Sequence, residues 1–279
     1  WRTGWIALAI LGLGGVAIAQ PNVDQFIDFS TDGVPGRLFV PDQAADSARP
    51  VIVFLHGAGE TGNNNTSQVN GNIDNLLAAA QDRGAFIYAP QATTFGWNSV
   101  SRTNTVMSMV EQIFATQNAD SNRLYVTGLS MGGGGTWNLG NRYSDQIAAL
   151  VPIAGINPSG DFDGANLVDI PTWAFHARND NVVNRSATIN TVNRILDAAG
   201  EPRIDDPGTP GFEFRSDNLD LAYTQYSSGG HGIWGRVYET PEVYDWMFAR
   251  AVPEPASFGP FILALMVCVG WLRRRQLDA

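Results

Sequence analysis

Short apolar runs rich in β-branched and aromatic residues alternate along the chain with longer stretches whose apolar positions recur every three or four residues. The runs Arg37–Pro41, Val51–His56, Ala85–Pro90, Leu124–Gly128, Ala148–Ala154, Thr172–His176 and Ala222–Ser227 predict strands. Val51-Ile52-Val53-Phe54-Leu55 is apolar at every position rather than at alternate ones, the mark of a strand covered on both faces. Between the strands, Ile73–Arg83, Thr103–Thr116, Gly132–Arg142, Arg185–Ala199 and Pro241–Ala251 predict helices. Strand and helix in regular alternation predict an α/β fold, a mostly parallel central sheet with helices on both faces. The stretch from Gly200 to Asp220, rich in Pro, Gly and Asp, is expected to be a surface loop. Ligands of such sheets bind beyond the carboxyl ends of the strands, so the residues just past each strand carry the functional question.

Both ends of the chain depart from this pattern. Arg2 precedes an apolar stretch that ends in Ala17-Ile18-Ala19, which reads as a secretory signal peptide with a small-x-small cleavage site before Gln20. At the other end Pro253-Glu254-Pro255 is followed by an apolar segment through Leu263, Val267 and Leu272 and then by Arg273-Arg274-Arg275. About eighteen apolar residues are just enough to span a bilayer, with the arginines on its cytoplasmic side. Pro-Glu-Pro, one hydrophobic segment and a terminal arginine cluster resemble the PEP-CTERM sorting signal of Gram-negative bacteria. That resemblance implies an exosortase-type sorting protease as a partner, and a protein held at the inner membrane until its tail is processed. The expected division is 1–19 signal peptide, 20–251 working domain and 252–279 sorting tail, with export to the cell surface or the extracellular space and membrane contact through the terminal segment only.

Composition narrows the partners. Lys plus Arg number 17 against 27 Asp plus Glu, a net charge of -10, the wrong sign for neutralising phosphates, so no nucleic acid is expected. A single cysteine, Cys268, and three histidines exclude a disulfide scaffold and a histidine-rich metal site. No cofactor and no metal are expected. Asp161 and Asp163 flank Phe162 ahead of Gly164, but they lack the further ligands of a calcium loop and are expected to serve ordinary turn chemistry.

The Leu124–Gly128 strand runs into Gly128-Leu129-Ser130-Met131-Gly132 and then a helix. Gly-x-Ser-x-Gly between strand and helix is a nucleophile elbow, a strained turn that lifts the serine hydroxyl above the sheet. The Val51–His56 strand leads into His56-Gly57-Ala58-Gly59-Glu60, a turn whose backbone N–H groups can face the same space. The N–H groups of Ala58 and Met131 are therefore candidate oxyanion donors. His56 is expected to brace that loop rather than transfer protons, and Glu60 either to brace it as well or to be a solvated charge. A serine hydroxyl needs a base and the base an orienting carboxylate. His231, flanked by glycines just after the last parallel run, is the candidate base, whereas His176 at the end of an apolar strand reads as a satisfied core histidine. Asp180 follows that same strand and is the candidate acid, preferred over Asp161, Asp163, Asp217 and Asp220, which lack the strand-end setting. Trp97 and Trp234, with His56 beside the site, are candidate walls of a substrate pocket.

Phe54 through Gly62, Gly128 through Gly133, Phe175-His176 through Asp180 and Val183, and Gly230-His231 with Trp234 together resemble the α/β-hydrolase superfamily. Within it they are similar to the secreted esterases: feruloyl and acetylxylan esterases, polyhydroxybutyrate depolymerase-like proteins and a "predicted peptidase" group. Many relatives carry His-Gly-x-x-Asp where this chain has His176-Ala177-Arg178-Asn179-Asp180, which changes the loop and not the carboxylate. The resemblance implies Ser130, Asp180 and His231 as a triad hydrolysing small-molecule or polymer-linked esters. Two alternatives stand beside it. One is a serine peptidase related to prolyl oligopeptidases, and the other a non-catalytic surface protein that binds matrix polysaccharide.

Overall fold

The computed structural model describes residues 22–31, 33–205 and 208–253. The signal peptide expected over 1–19 and nearly all of the tail expected over 252–279 lie outside them. Among the described residues no helix is long and apolar enough to cross a membrane.

The strands are β1 (Ile27–Asp28), β2 (Gly36–Phe39), β3 (Arg49–Leu55), β4 (Phe86–Pro90), β5 (Ala119–Leu129), β6 (Ala149–Ile153), β7 (Thr172–Ala177), β8 (Phe212–Arg215) and β9 (Leu221–Tyr226). The helices are α1 (Asp74–Arg83), α2 (Val100–Thr116), α3 (Met131–Arg142), α4 (Ser186–Ala199), α5 (Trp234–Tyr238) and α6 (Pro241–Phe248). One sheet holds every strand, in the order β1-β2-β4-β3-β5-β6-β7-β9-β8. From β4 to β9 the pairs are parallel, and the outer strands β2, β1 and β8 run antiparallel to their neighbours.

The continuous apolar pattern of β3 now has its cause. Val51, Val53 and Leu55 pack into a cluster under α2, α3 and α4, with Val110, Trp137 and Val192. Ile52 and Phe54, between them, pack into the opposite cluster under α1, α5 and α6, with Leu77, Val237 and Tyr244. Each such side chain, fully withdrawn from water, contributes about 1.5–3 kcal/mol, so both faces of the sheet are cores.

The stretch expected as a loop between Gly200 and Asp220 contains β8. Phe212-Glu213-Phe214-Arg215 alternates half-buried and exposed residues against β9, an edge strand too short for its two-residue period to stand out among glycines and prolines. Also absent from the sequence reading are β1, only two residues long, and α5, a single turn and a half after the glycine-rich segment around His231.

Helix α3 sets the geometry of the carboxyl edge. It is buried from Met131 through Asn141, and its glycines let it lie almost on the sheet. A Cβ at Gly132 would stand 1.8 Å from the Leu55 carbonyl oxygen, and one at Gly128 2.5 Å from the Gly132 oxygen. Glycine inside a helix costs about 1 kcal/mol relative to alanine; here the approach it permits is what puts the start of α3 against the ends of β3 and β5. Gly132→Ala is expected to lower stability by about 3 kcal/mol, read as a fall in the urea midpoint. A wild-type midpoint would mean that the helix can retreat from β3 without loss.

Candidate active site

Ser130 occupies the turn between β5 and α3. Its backbone stands at φ 56 and ψ -115, a conformation that costs a non-glycine residue of order 1–3 kcal/mol. The turn is held from three sides: Ser130 N–H donates to Ile153 O at 2.9 Å, while Ser130 O accepts from Gly134 at 3.1 Å and Ile156 at 3.1 Å. The hydroxyl stands at the N-terminus of α3, where the helix field favours negative charge.

From the loop after β9, His231 turns its ring onto this hydroxyl. Its Nε2 lies 2.8 Å from Ser130 Oγ, and its Nδ1 lies 2.7 Å from Asp180 Oδ2. The Asp180 side chain is out of solvent and that of His231 is 17% exposed. Asp180 comes from the loop after β7, and Oδ1 accepts the backbone N–H groups of Val182 at 2.8 Å and Val183 at 2.9 Å. Burial pushes the Asp180 pKa up, but the bonds from His231 and from the Val183 and Val182 amides outweigh it and hold the carboxyl below the usual carboxylate range. It is therefore ionised at neutral pH, which makes Nδ1 of His231 the donor and leaves Nε2 free to accept from Ser130.

The loop that carries His231 is fastened to the acid's loop a second time, since Asn179 Oδ1 accepts Gly230 N–H at 2.9 Å. In the same turn Arg178 donates to the Gly208 and Thr209 carbonyls. Arg178 and Asn179, between Ala177 and Asp180, thus tie three loops together.

Ala58 opens the short 3-10 turn Ala58–Glu60 after β3, and Met131 opens α3. Each is the first residue of its helix, and neither backbone N–H donates to an acceptor among the described residues. His56 is the brace of this corner. It is 1% exposed, its Nδ1–H donates to Gly57 O at 2.6 Å and its Nε2 accepts Ala92 N–H at 2.9 Å. Burial lowers its pKa to about 4, so it stays neutral.

Two candidate pocket walls need correction. His56 has both ring nitrogens engaged in backbone bonds and presents nothing to a substrate. Trp97 is likewise 1% exposed, its indole N–H donates to His56 O at 3.1 Å, and its Cβ would lie only 2.6 Å from a Cβ at Gly135. It is core, placed under α3. Trp234 does reach the site. It is half-buried, stands edge-on to the His231 ring with centroids 5.5 Å apart, and donates to Asn72 Oδ1 at 2.8 Å. Asn72 in turn donates to Glu60 Oε1 at 2.7 Å, so Glu60 links the loop after β3 to this tryptophan.

Three of the rival acids serve structure. Asp163 Oδ1 caps the following turn by accepting Ala165 N–H at 3.0 Å, Asp161 pairs with Arg142 at 2.9 Å, and Asp220 pairs with Arg250 at 2.8 Å. Among the described residues no group of three or more His, Cys, Asp or Glu could hold a metal ion.

The family model described as alpha/beta hydrolase fold matches residues 50–194. A bifunctional acetylxylan esterase/xylanase of Neocallimastix patriciarum is 26% identical over 164 residues, which cover 56% of this chain and 23% of that protein. The chain thus spans about a quarter of the length of that curated relative. Among solved structures a thermostable esterase is 30% identical with a TM-score of 0.68, over 82% of this chain and 64% of that one. The acetyl xylan esterase from Aspergillus awamori shares the fold at 16% identity and a TM-score of 0.62, over 80% and 98% of the two chains.

Burial of His56 makes stability depend on pH. Its folded pKa of about 4 lies below the ordinary 6.5, so the unfolded chain binds the proton first. The contribution is complete above 6.5 and is lost as pH falls toward 4. Between pH 7 and pH 5 this one ring is expected to account for about 2 kcal/mol of lost stability. Urea unfolding of His56→Gln at the two values should show a correspondingly shallower dependence; an unchanged dependence would mean that His56 titrates normally in the folded protein.

Proposed function

The chain belongs to the α/β-hydrolase fold family, and from that premise we propose that it is an exported serine hydrolase of carboxylic esters, working through an acyl-enzyme. The observation that carries the reading is the continuous line from Ser130 Oγ to His231 Nε2 at 2.8 Å and from His231 Nδ1 to Asp180 Oδ2 at 2.7 Å. Fold likeness alone does not imply chemistry; the meeting of three side chains from three loops in this order supports the reading.

In the first half-reaction the Ser130 oxygen attacks the ester carbonyl carbon while His231 Nε2 takes the hydroxyl proton. The carbonyl π pair moves onto oxygen, and that oxyanion is received by the N–H groups of Ala58 and Met131 at the positive end of α3. Collapse breaks the bond to the alcohol oxygen, which takes the proton from His231 and leaves. Water then repeats the sequence on the acyl-Ser130 ester, giving up its proton to His231 and releasing the acid. Asp180 keeps Nδ1 protonated and balances the imidazolium formed in each step; it does not itself take the proton.

Feruloyl, acetyl or polyester-type esters are the substrate class. Supporting it are the esterase relatives and the half-buried Trp234 beside His231, an aromatic wall suited to an acyl or sugar-linked group. Export rests on the sequences of 1–19 and 252–279, with the latter as the substrate of a sorting protease and the one membrane contact. Against a purely binding role speaks the hydrogen-bond contact among the side chains of Ser130, His231 and Asp180, which such a role does not need.

Hydrolysis of p-nitrophenyl acetate and methyl ferulate, beside a peptide p-nitroanilide panel, tests the reading. Ser130→Ala should lose at least about 10³-fold in kcat, and Asp180→Asn about 10⁴-fold with a folded protein. Peptide turnover without ester turnover would convert the assignment to a peptidase. Equal inactivity of wild type and Ser130→Ala on every substrate would sink the hydrolase reading.

A further inference from the structure

We propose that His176, which takes no part in the proton transfers above, is a positioning residue that holds Asp180 in register with His231 through its Nε2–H. The proposal rests on the reading of Ser130, His231 and Asp180 just given.

His176 is the penultimate residue of β7 and is wholly buried. Its Nδ1 lies 2.8 Å from Thr188 Oγ1 on α4. Its Nε2 lies 3.0 Å from Val183 O and 3.2 Å from Asp180 Oδ2. Both neighbours of Nε2 are acceptors with no hydrogen to give, so the ring proton must sit there. Nδ1 then accepts from the Thr188 hydroxyl, whose free rotation supplies the hydrogen.

One N–H thus grips both ends of the acid's turn. Val183 O accepts its hydrogen bond, and Asp180 Oδ2 stands beside the same nitrogen at 3.2 Å. Because Oδ1 already accepts the Val182 and Val183 amides, the turn is closed on itself, and His176 pins that closed ring to β7. Oδ2 consequently faces two imidazoles, His231 at 2.7 Å and His176 at 3.2 Å.

The groups that face His176 fit this role. Asp180 and His231 are the charged or titratable ones, and its hydrogen-bond partner on α4 is the neutral Thr188. Burial lowers the His176 pKa despite the nearby carboxylate, so the ring donates as a neutral group and adds no positive charge to compete with the imidazolium of His231. A neutral donor on a carboxylate fixes where its oxygen lies and draws off part of its charge. A core histidine with no such role would need only its ring volume and its bond to Thr188.

The first test needs no catalysis, so it stands or falls apart from the hydrolase assignment. In the full chain labelled with ¹⁵N-histidine only three histidines contribute, and His176 is expected as the Nε2–H tautomer, opposite to the Nδ1–H form of His56. The Nδ1–H form at His176 would overturn the proposal. The second test compares His176→Phe, which keeps a ring and removes the donor, with His176→Gln, which keeps an N–H. The Phe variant is expected to lose about tenfold in kcat with KM nearly unchanged, and the acid limb of kcat/KM should move to higher pH as charge returns to the carboxylate. The Gln variant should recover most of both. Wild-type kcat and pH profile in a folded Phe variant would overturn the proposal, as would equal losses in Phe and Gln. Should the Phe variant not fold, the tautomer and the Gln variant decide in the same way.

Discussion

The close approach of α3 to the end of β3 is the constraint on which the carboxyl edge depends. With no side chain at Gly132 the helix backbone rests against the Leu55 carbonyl, and the chain can leave β5 only by the sharp turn that gives Ser130 its positive φ. The strain of that turn is offset by the buried helix behind it, which packs against β5, β6 and β3. A side chain at Gly132 would loosen the helix, and the serine would relax into an ordinary helix start with its hydroxyl elsewhere.

The rest of the site is assembled by loops that brace one another. The His56 corner fixes the backbone after β3 by bonding Gly57 and Ala92, and Trp97 lies beneath it. Across the edge, the acid's turn binds the histidine loop twice, through Asp180 to His231 and through Asn179 to Gly230. Positions contributed from far apart in sequence are thereby held to hydrogen-bond tolerance, which the proposed acyl transfer would demand.

Much of this was legible in the residues. Continuous apolar runs gave the parallel strands because burial on both faces removes the alternation of a half-exposed sheet. Gly-x-Ser-x-Gly was decisive because the flanking glycines answer a steric need that few other turns have, and the order Ser130, Asp180, His231 placed each side chain just past a strand. What escaped were features set by tertiary packing. β8 exists because β9 offers it an edge, and its four residues carry too little pattern alone. Trp97 follows a strand as a pocket residue would, yet the glycines of α3 create the space that buries it. His176 reads as core by its apolar neighbours; only its spacing of four residues before Asp180 hinted that the two could meet.

The central claim is that Ser130 is the atom on which the acyl group resides between the two half-reactions. Rapid acid quench of the protein turning over p-nitrophenyl acetate, followed by peptide mass spectrometry, tests it directly. The account predicts one acetyl group per chain, on the peptide that contains Ser130 and on no other. Turnover with no covalent adduct, or an adduct on another residue, would contradict it.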